Sequence, residues 1–128
     1  MRNYIVPFFL LALVLLMGCS GSDVYLGEWK GTDINGDRYT LSFNPKDFSI
    51  KKANGDSLRF DYTQISIKIE NSARTYGIRL KDGRAYNLFF PIANDATKGL
   101  MTLEDGKPVY TICRTSYLSQ EEIYSLTK

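Results

Sequence analysis

The stretch from Leu58 to Ile69 reads LRFDYTQISIKI, and apolar residues occupy alternate positions in each half of it. The apolar positions are Leu58, Phe60 and Tyr62, followed by Ile65, Ile67 and Ile69. Because successive side chains of a β-strand point to opposite faces, this pattern predicts strands with one apolar and one polar face. The same alternation recurs at residues 39–43 and 76–80. The sequence therefore predicts an all-β domain.

Short turns separate these predicted strands. Four of them contain Asn-Gly or Asp-Gly, at residues 35–36, 54–55, 82–83 and 105–106. Such pairs supply the positive φ angles of tight hairpins. With further turns at 44–47 and 70–72 and a longer loop at 94–99, turns recur about every ten residues, as in an antiparallel meander. We expect a small up-and-down barrel of about eight or nine strands, which this pattern favours over a doubly wound fold.

Only the C-terminal segment is predicted to be helical. Ser119 and Glu122 have the spacing of a capping box, in which each side chain bonds to the backbone N–H of the other. Ile123 and Leu126 follow and form a small apolar edge. Because so short a helix is marginal alone, we expect this edge to pack on the barrel.

The charges are nearly balanced, with 16 Lys and Arg against 14 Asp and Glu, and there is no histidine. Basic residues are dispersed, and the longest basic run is Lys51-Lys52, so a nucleic-acid partner is disfavoured. The absence of histidine removes the commonest general base and metal ligand. The strand carboxylates Asp61 and Glu70 are expected on a solvated outer face. We predict no enzyme: no catalytic residue, no metal site and no cofactor.

An apolar run from Ile5 to Met17 follows Arg2 near the start of the chain. It has the length of a signal-peptide core and is shorter than the ~20 residues that span a bilayer. The run ends in LLMGC, and Leu16, Gly18 and Cys19 resemble the lipobox of bacterial lipoproteins. Ordinary secretion and a retained anchor are the alternatives, although the segment before Cys19 is a poor site for an ordinary signal peptidase.

The lipobox resemblance implies cleavage between Gly18 and Cys19 and acylation of Cys19, which would bind the protein to a lipid bilayer. Ser20 stands where enterobacterial lipoproteins retained at the inner membrane carry Asp. The resemblance thus implies a bacterial envelope location on the outer membrane, facing the periplasm. The implied division is a signal peptide at 1–18, helical in the precursor, a lipidated tether at 19–24, and a barrel domain with its C-terminal helix at 25–128.

Acylation of Cys19 would leave Cys113 without a partner in the chain. It lies in the strand-like run Tyr110 to Arg114, where a small apolar side chain would fit. We interpret Cys113 as a buried structural thiol, with a reactive or intermolecular cysteine as the alternative.

Two separated motifs resemble the lipocalin family. Gly27-Glu28-Trp29 is similar to the G-x-W of the first lipocalin strand. Residues 110–115, followed by 118–122, look like the last strand and helix entry of bacterial lipocalins. The resemblance covers both ends of the domain and implies a lipocalin-like, or calycin-like, barrel. It also implies that Trp29 and Arg114 stack at the closed end as a structural plug.

Aromatic residues are frequent on the apolar faces. If the barrel encloses a ligand, the residues expected to line it are Phe43, Phe60, Tyr62, Tyr76 and Tyr86. Short strands leave little spare volume, so we favour a lumen filled by side chains. The residues expected to fill it are Leu41, Phe43, Phe60, Ile67, Ile78, Leu80, Leu88 and Ile112.

A filled barrel would act through its outer surface. We therefore expect a non-catalytic binding module for a macromolecular partner in the envelope, of the inhibitor, immunity or assembly-accessory type. The loop from Asn94 to Gly99 or an exposed sheet edge would make the contact. The alternative, which the lipocalin resemblance implies, is a carrier or sensor of a small apolar ligand.

Overall fold

Eight antiparallel strands close into a barrel in this computed structural model, which describes residues 23–127. The strands are β1 (Gly27–Thr32), β2 (Arg38–Phe43), β3 (Asp47–Lys52), β4 (Ser57–Glu70), β5 (Ala73–Leu80), β6 (Ala85–Phe90), β7 (Lys98–Leu103) and β8 (Pro108–Cys113). One short helix, α1 (Gln120–Ser125), follows. The predicted fold, a small lipocalin-like meander barrel with a C-terminal helix, is confirmed. The predicted signal helix, the cleavage site and Cys19 lie outside the described residues.

Closure is made by pairing of the first and last strands. Lys30 lies opposite Cys113, Gly31 opposite Ile112 and Thr32 opposite Thr111. All the remaining pairs join strands that are consecutive in the sequence. Connections in such a barrel alternate between its two ends. The chain therefore enters β1 at the same end as the turns after β2, β4 and β6, which we call the N-terminal end, and the other turns lie at the far end.

The predicted turns form at both ends of the barrel. At the far end, the glycines of the Asn-Gly and Asp-Gly pairs adopt φ angles between 86° and 99°. At the N-terminal end, Asn71 and Ser72 join β4 to β5 with φ angles of 52° and 68°. Two consecutive positive φ angles are typical of the type I′ turn, whose twist matches that of the strands it connects. The β4–β5 pair is therefore a tight hairpin.

β4 is the longest strand, with 14 residues, and its two neighbouring strands pair with different parts of it. β3 pairs with Ser57–Asp61 and β5 pairs with Tyr62–Glu70, with a register shift between Gln64 and Ser66. Because β3 and β5 lie on opposite sides of β4, the second half of β4 is paired on one side only. A bulge of this kind bends and twists its strand.

The core lies inside the barrel and is strongly aromatic. Most of the residues predicted to fill it are buried: Leu41, Phe43, Ile78, Leu80, Leu88 and Ile112. Phe60 is only partly buried. The prediction for Ile67 was wrong, because Ile67 lies in the part of β4 that has no β3 beside it and is exposed. Trp29 of β1 and Phe90 of β6, whose ring centroids are 5.8 Å apart, make a contact that crosses the lumen.

The capping box of α1 is confirmed. Ser119 Oγ accepts a hydrogen bond from the Glu122 N–H, and Glu122 Oε1 accepts one from the Ser119 N–H. Ile123 is buried, as predicted, whereas Leu126 is exposed, so that part of the prediction was wrong. The helix ends before Leu126, which is its C-cap, and Leu126 therefore turns away from the barrel.

Cys113 is buried, as predicted for a structural thiol. Its Sγ lies 3.8 Å from Oγ1 of Thr115 and 3.7 Å from Oγ of Ser116. Burial acts to raise the pKa of this thiol, but hydrogen bonds from Thr115 and Ser116 outweigh burial and lower it. Among residues 23–127, no helix has the length and apolar character to cross a membrane.

Candidate functional site

Trp29 plugs the N-terminal end of the barrel. Its indole is fully buried and contacts the ring of Phe90, with centroids 5.8 Å apart. The indole Nε1–H donates a hydrogen bond of 2.9 Å to the backbone oxygen of Tyr25. The buried polar atom of the indole is therefore satisfied, and the plug is tied to the segment that enters β1.

Arg114 covers this plug from outside. Its guanidinium carbon lies 3.8 Å from the centroid of the Trp29 ring, so the contact expected between these two residues is present. The same guanidinium donates to the backbone oxygens of Val24, Leu26 and Glu28 at 3.1, 2.7 and 3.0 Å. A planar fork with several donors can stack on a ring and hold carbonyl groups at once, which a lysine cannot do.

Gly27 shows why a glycine precedes the tryptophan by two positions. Its φ angle is 101°, a conformation that residues with a Cβ rarely adopt. A Cβ at this position would lie 3.1 Å from Nη1 of Arg114. The glycine of the G-x-W pattern is thus favoured for two reasons: its backbone has a positive φ angle, and the absence of a Cβ leaves room for the Arg114 guanidinium.

Tyr25 closes the same end beside Trp29, although the sequence analysis did not select it. Its ring lies 5.8 Å from that of Phe43 and 5.4 Å from that of Tyr76, and its hydroxyl donates to Oε1 of Gln64 at 2.8 Å. Burial raises the pKa of Tyr25. Because Tyr25 lies in the irregular segment before β1, no periodic pattern marks it as a core residue.

The five residues predicted to line a ligand are divided between two places. Phe43, Tyr62 and Tyr76 are buried around Tyr25. Tyr62 also donates a hydrogen bond to the backbone oxygen of Asn44, and burial raises its pKa.

The other two predicted lining residues, Phe60 and Tyr86, lie partly buried beside the far-end turn that carries Arg84. The Arg84 guanidinium carbon is 5.2 Å from the ring centroid of Phe60, and Arg84 Nη1 donates to the Tyr86 hydroxyl at 3.3 Å. Three of the predicted residues are thus buried in one cluster, and the other two are partly buried and pack against it. Phe60 contacts Phe48, whose ring stacks on Phe43.

A surface cleft of about 950 Å³ opens beside Tyr25, and we call it the β4 cleft. It lies where β3 begins on one side of β4 and β5 ends on the other. Its charged lining residues are Asp23, Lys46, Asp47, Arg59, Asp61, Arg79 and Lys81. Four cations and three anions share this lining with apolar side chains such as Leu26, Ile65 and Leu80, so the cleft suits an occupant with both charged and apolar groups better than a bare hydrocarbon chain. No single strand contains this pattern, and the sequence alone could not reveal it.

One ion pair is fixed at the edge of the β4 cleft. Arg59 Nη2 donates to Asp47 Oδ2 at 2.7 Å, between the paired strands β3 and β4. Hydrogen bonds from Asn44 and Arg59 lower the pKa of Asp47. Asp47 therefore stays ionised at neutral pH, and this edge of the cleft keeps a paired cation and anion.

No protein family, curated protein or solved structure matches this chain. Its function is therefore inferred from its residues and their contacts.

The strand carboxylates do not form a catalytic pair. Asp61 and Glu70 are nine positions apart on β4, which corresponds to roughly 30 Å along an extended strand. Both are exposed, as predicted, and Glu70 pairs with Lys68 at 3.2 Å. In the described part of the chain, no three His, Cys, Asp or Glu residues are grouped so as to hold a metal ion.

The loop after β6, which the sequence analysis selected as a contact surface, is tied down internally. Oδ1 of Asp95 accepts a 2.9 Å hydrogen bond from the Thr97 N–H, and Oδ2 pairs with Lys98 at 3.4 Å. The Thr97 oxygen in turn accepts a hydrogen bond from the Arg114 N–H at 3.0 Å. Lys98 and Gly99 belong to β7 rather than to the loop.

An exposed apolar segment lies in the second half of β4. Ile65, Ile67 and Ile69 are 48%, 52% and 62% exposed, and we call them the isoleucine edge. Over Ser66–Glu70 their strand forms a ladder with β5 and none with β3. Of these three residues, Ile67 was predicted to lie in the filled lumen. Alternation identifies the apolar face of a strand but not the neighbouring strand that covers it.

Proposed function

We propose that this protein is a lipid-anchored lipoprotein of the bacterial envelope whose barrel binds a macromolecular partner without catalysing a reaction. The lipobox at Leu16, Gly18 and Cys19 supports the anchor. Ser20 supports an outer-membrane location facing the periplasm. The inhibitor, immunity and assembly-accessory roles all need such a binding module.

The observation that carries this proposal is the packing of the lumen. Tyr25, Phe43, Tyr76 and Phe90 are joined by ring contacts between 5.4 and 5.9 Å, and Trp29 lies against Phe90. Large side chains in such contact fill the lumen and leave no room for a ligand there. Binding is therefore assigned to the outer surface.

The β4 cleft is the part of that surface best suited to a protein segment. It is recessed, and its four cations and three anions can pair with charges on a partner, which favours specificity and fast association. Tyr25 and Tyr62 contribute to its floor, so a partner would contact the same residues that close the barrel.

The alternative is a lipocalin-like carrier or sensor of a small apolar ligand. It requires a free volume of ~300 Å³ or more, lined mainly by apolar groups. The β4 cleft has the size, but seven charged residues lie among its apolar side chains, and the lumen itself is packed with aromatic rings. The carrier function is therefore the second candidate, and its test is displacement of a fluorescent fatty acid.

In vivo photo-crosslinking tests the main proposal. A photoreactive residue replaces Thr63, which is exposed in the β4 cleft, and in a matched strain it replaces Asn54 in a far-end turn. We expect one discrete adduct with an envelope protein from position 63 and none from position 54. Arg79→Glu should weaken that adduct, whereas Lys107→Glu, an equal charge change outside the cleft, should not.

Equal adducts from both positions, or none from position 63, would contradict the assignment to the β4 cleft. Displacement of a fatty-acid probe at micromolar concentration, with its signal lost in a folded Ile78→Asp variant, would favour the carrier function instead.

A further inference from the structure

The isoleucine edge and Asp23, the first described residue, lie at the same end of the molecule. In this up-and-down barrel, the entry to β1 and the β4–β5 hairpin share the N-terminal end. The Tyr25 hydroxyl is 2.8 Å from Oε1 of Gln64, the residue before Ile65. Asp23 and Ile65 both line the β4 cleft. The first described residues of the chain are therefore next to the start of the isoleucine edge.

The tether that precedes Asp23 is short. Cys19 is four positions before Asp23, and four extended residues reach at most about 14 Å. If Cys19 carries acyl chains in the bilayer, the N-terminal end of the barrel cannot move far from the lipid headgroups. This step rests on the proposed lipid anchor, and it places the isoleucine edge within reach of the membrane.

The chemistry of the isoleucine edge suits the membrane interface rather than its centre. Three isoleucines about half exposed within five residues of one strand form an apolar surface with no cover in residues 23–127. The backbone of this strand is unpaired on the side away from β5. Unpaired backbone groups are costly in hydrocarbon, but headgroups and water can satisfy them at the interface. Lys68, between the isoleucines, can reach the headgroups in the same position.

An open strand edge can also pair with a β-strand of another molecule, which is the alternative to contact with lipid. The register shift between Gln64 and Ser66 twists the start of this edge, and the Lys68–Glu70 ion pair places charges along it. Bulges and charges are the features by which proteins protect open edges from strand addition. A fluid lipid surface has no register to match, and these features do not oppose its contact with the isoleucines.

We propose that the isoleucine edge docks into the interface of the bilayer that holds the acylated Cys19, so that the barrel rests on the membrane by its N-terminal end. The anchor and the edge would act together, since two attachments fix an orientation that one flexible tether leaves free. The β4 cleft then opens sideways along the membrane surface, and Arg79 and Lys81 lie at its end farther from the isoleucine edge.

Fluorescence quenching in vesicles tests this docking. The full chain is produced with its own signal, purified with its lipid, and reconstituted into vesicles of phosphatidylethanolamine and phosphatidylglycerol with a fraction of brominated lipid. An environment-sensitive fluorophore is attached at Ile67→Cys or Ile69→Cys. The control is Ile34→Cys, which is 77% exposed in a far-end turn. Cys113 is buried and stays unlabelled under native conditions.

We expect bromine to quench the fluorophore at positions 67 and 69 several-fold more than at position 34. Equal quenching at all three positions, in protein whose mass shows an acylated Cys19, would overturn the docking and leave the lipid anchor intact. Cross-linking of position 67 between two copies would also overturn it, in favour of a dimer. An unacylated Cys19 would overturn the anchor itself, and the docking with it.

Discussion

Arg114 lies over the ring of Trp29 at 3.8 Å and, from the same guanidinium, holds three backbone oxygens of the segment that enters β1. The last strand and the first are thus joined twice, by the ladder between β1 and β8 and by this side chain. The segment that Arg114 holds also carries Tyr25, which closes the barrel beside the β4 cleft. The plug and the candidate binding surface are therefore one structural unit.

A double-mutant cycle measures the Trp29–Arg114 contact. Trp29→Ala should lower the free energy of unfolding by about 3–5 kcal/mol, because it removes a fully buried indole. Arg114→Ala should cost less, since its guanidinium is only partly buried. Because the two groups touch, the double variant should differ from the sum of the single losses by at least ~0.5 kcal/mol in denaturant titrations. Additive losses would show that the stack contributes nothing to stability.

Gly27→Ala isolates the steric part of the same unit, with Gly106→Ala as the matched control. The two glycines have φ angles of 101° and 91°, so both substitutions strain the backbone. Only at Gly27 would the new Cβ meet another group, Nη1 of Arg114 at 3.1 Å. We expect each variant to lose stability by more than ~0.5 kcal/mol and Gly27→Ala to lose more. Equal shifts in the midpoint of thermal unfolding would contradict the contact.

Much of this fold could be predicted from sequence, because its main determinants are local. Alternation identified the strands, and the Asn-Gly and Asp-Gly pairs identified the far-end turns. The capping residues identified the helix, and the two ends identified the Trp29–Arg114 contact. The strands, turns and helix depend on residues within one element or turn, whereas the Trp29–Arg114 contact joins the two ends of the domain and was expected from the lipocalin resemblance.

The parts that escaped prediction depend on how far neighbouring strands extend. Ile67 alternates as a core residue should, but β3 begins at Asp47, opposite Asp61, and does not cover it. Tyr25 lies before the first strand and has no period to mark it. The β4 cleft combines residues of four separate segments. None of these three features is visible in any one stretch of sequence.

Tyr39 makes the free energy of unfolding depend on pH in the alkaline range. Its hydroxyl donates to Oδ2 of Asp33 at 2.9 Å, and this hydrogen bond, with some help from burial, raises the pKa of Tyr39 to about 12. The folded state thus holds this proton more tightly than the unfolded state, whose tyrosine pKa is about 10. The contribution is complete below pH ~10 and is lost as the pH rises towards 12.

Urea titrations of the wild-type protein and Tyr39→Phe at a series of pH values test this linkage. The difference in unfolding free energy between the two proteins should be constant below pH ~10 and should shrink above it. Tyr86→Phe serves as a control for the loss of a partly buried hydroxyl without an acidic partner. A wild-type advantage that grows above pH 10 would have the wrong sign and would contradict the Asp33 hydrogen bond.

Cys19→Ser tests the attachment on which the cellular role depends. The serine hydroxyl cannot form the thioether of a lipoprotein, so the variant should lose palmitate labelling and either be released from membranes or accumulate as an uncleaved precursor. Cys113→Ser is the matched control, because it removes a thiol of the buried core and should leave labelling unchanged. Membrane fractionation of radiolabelled cells distinguishes these outcomes. Labelling that persists in Cys19→Ser, or that is lost in a folded Cys113→Ser, would assign the lipid to a residue other than Cys19. The short tether that brings the isoleucine edge to the bilayer would then be absent.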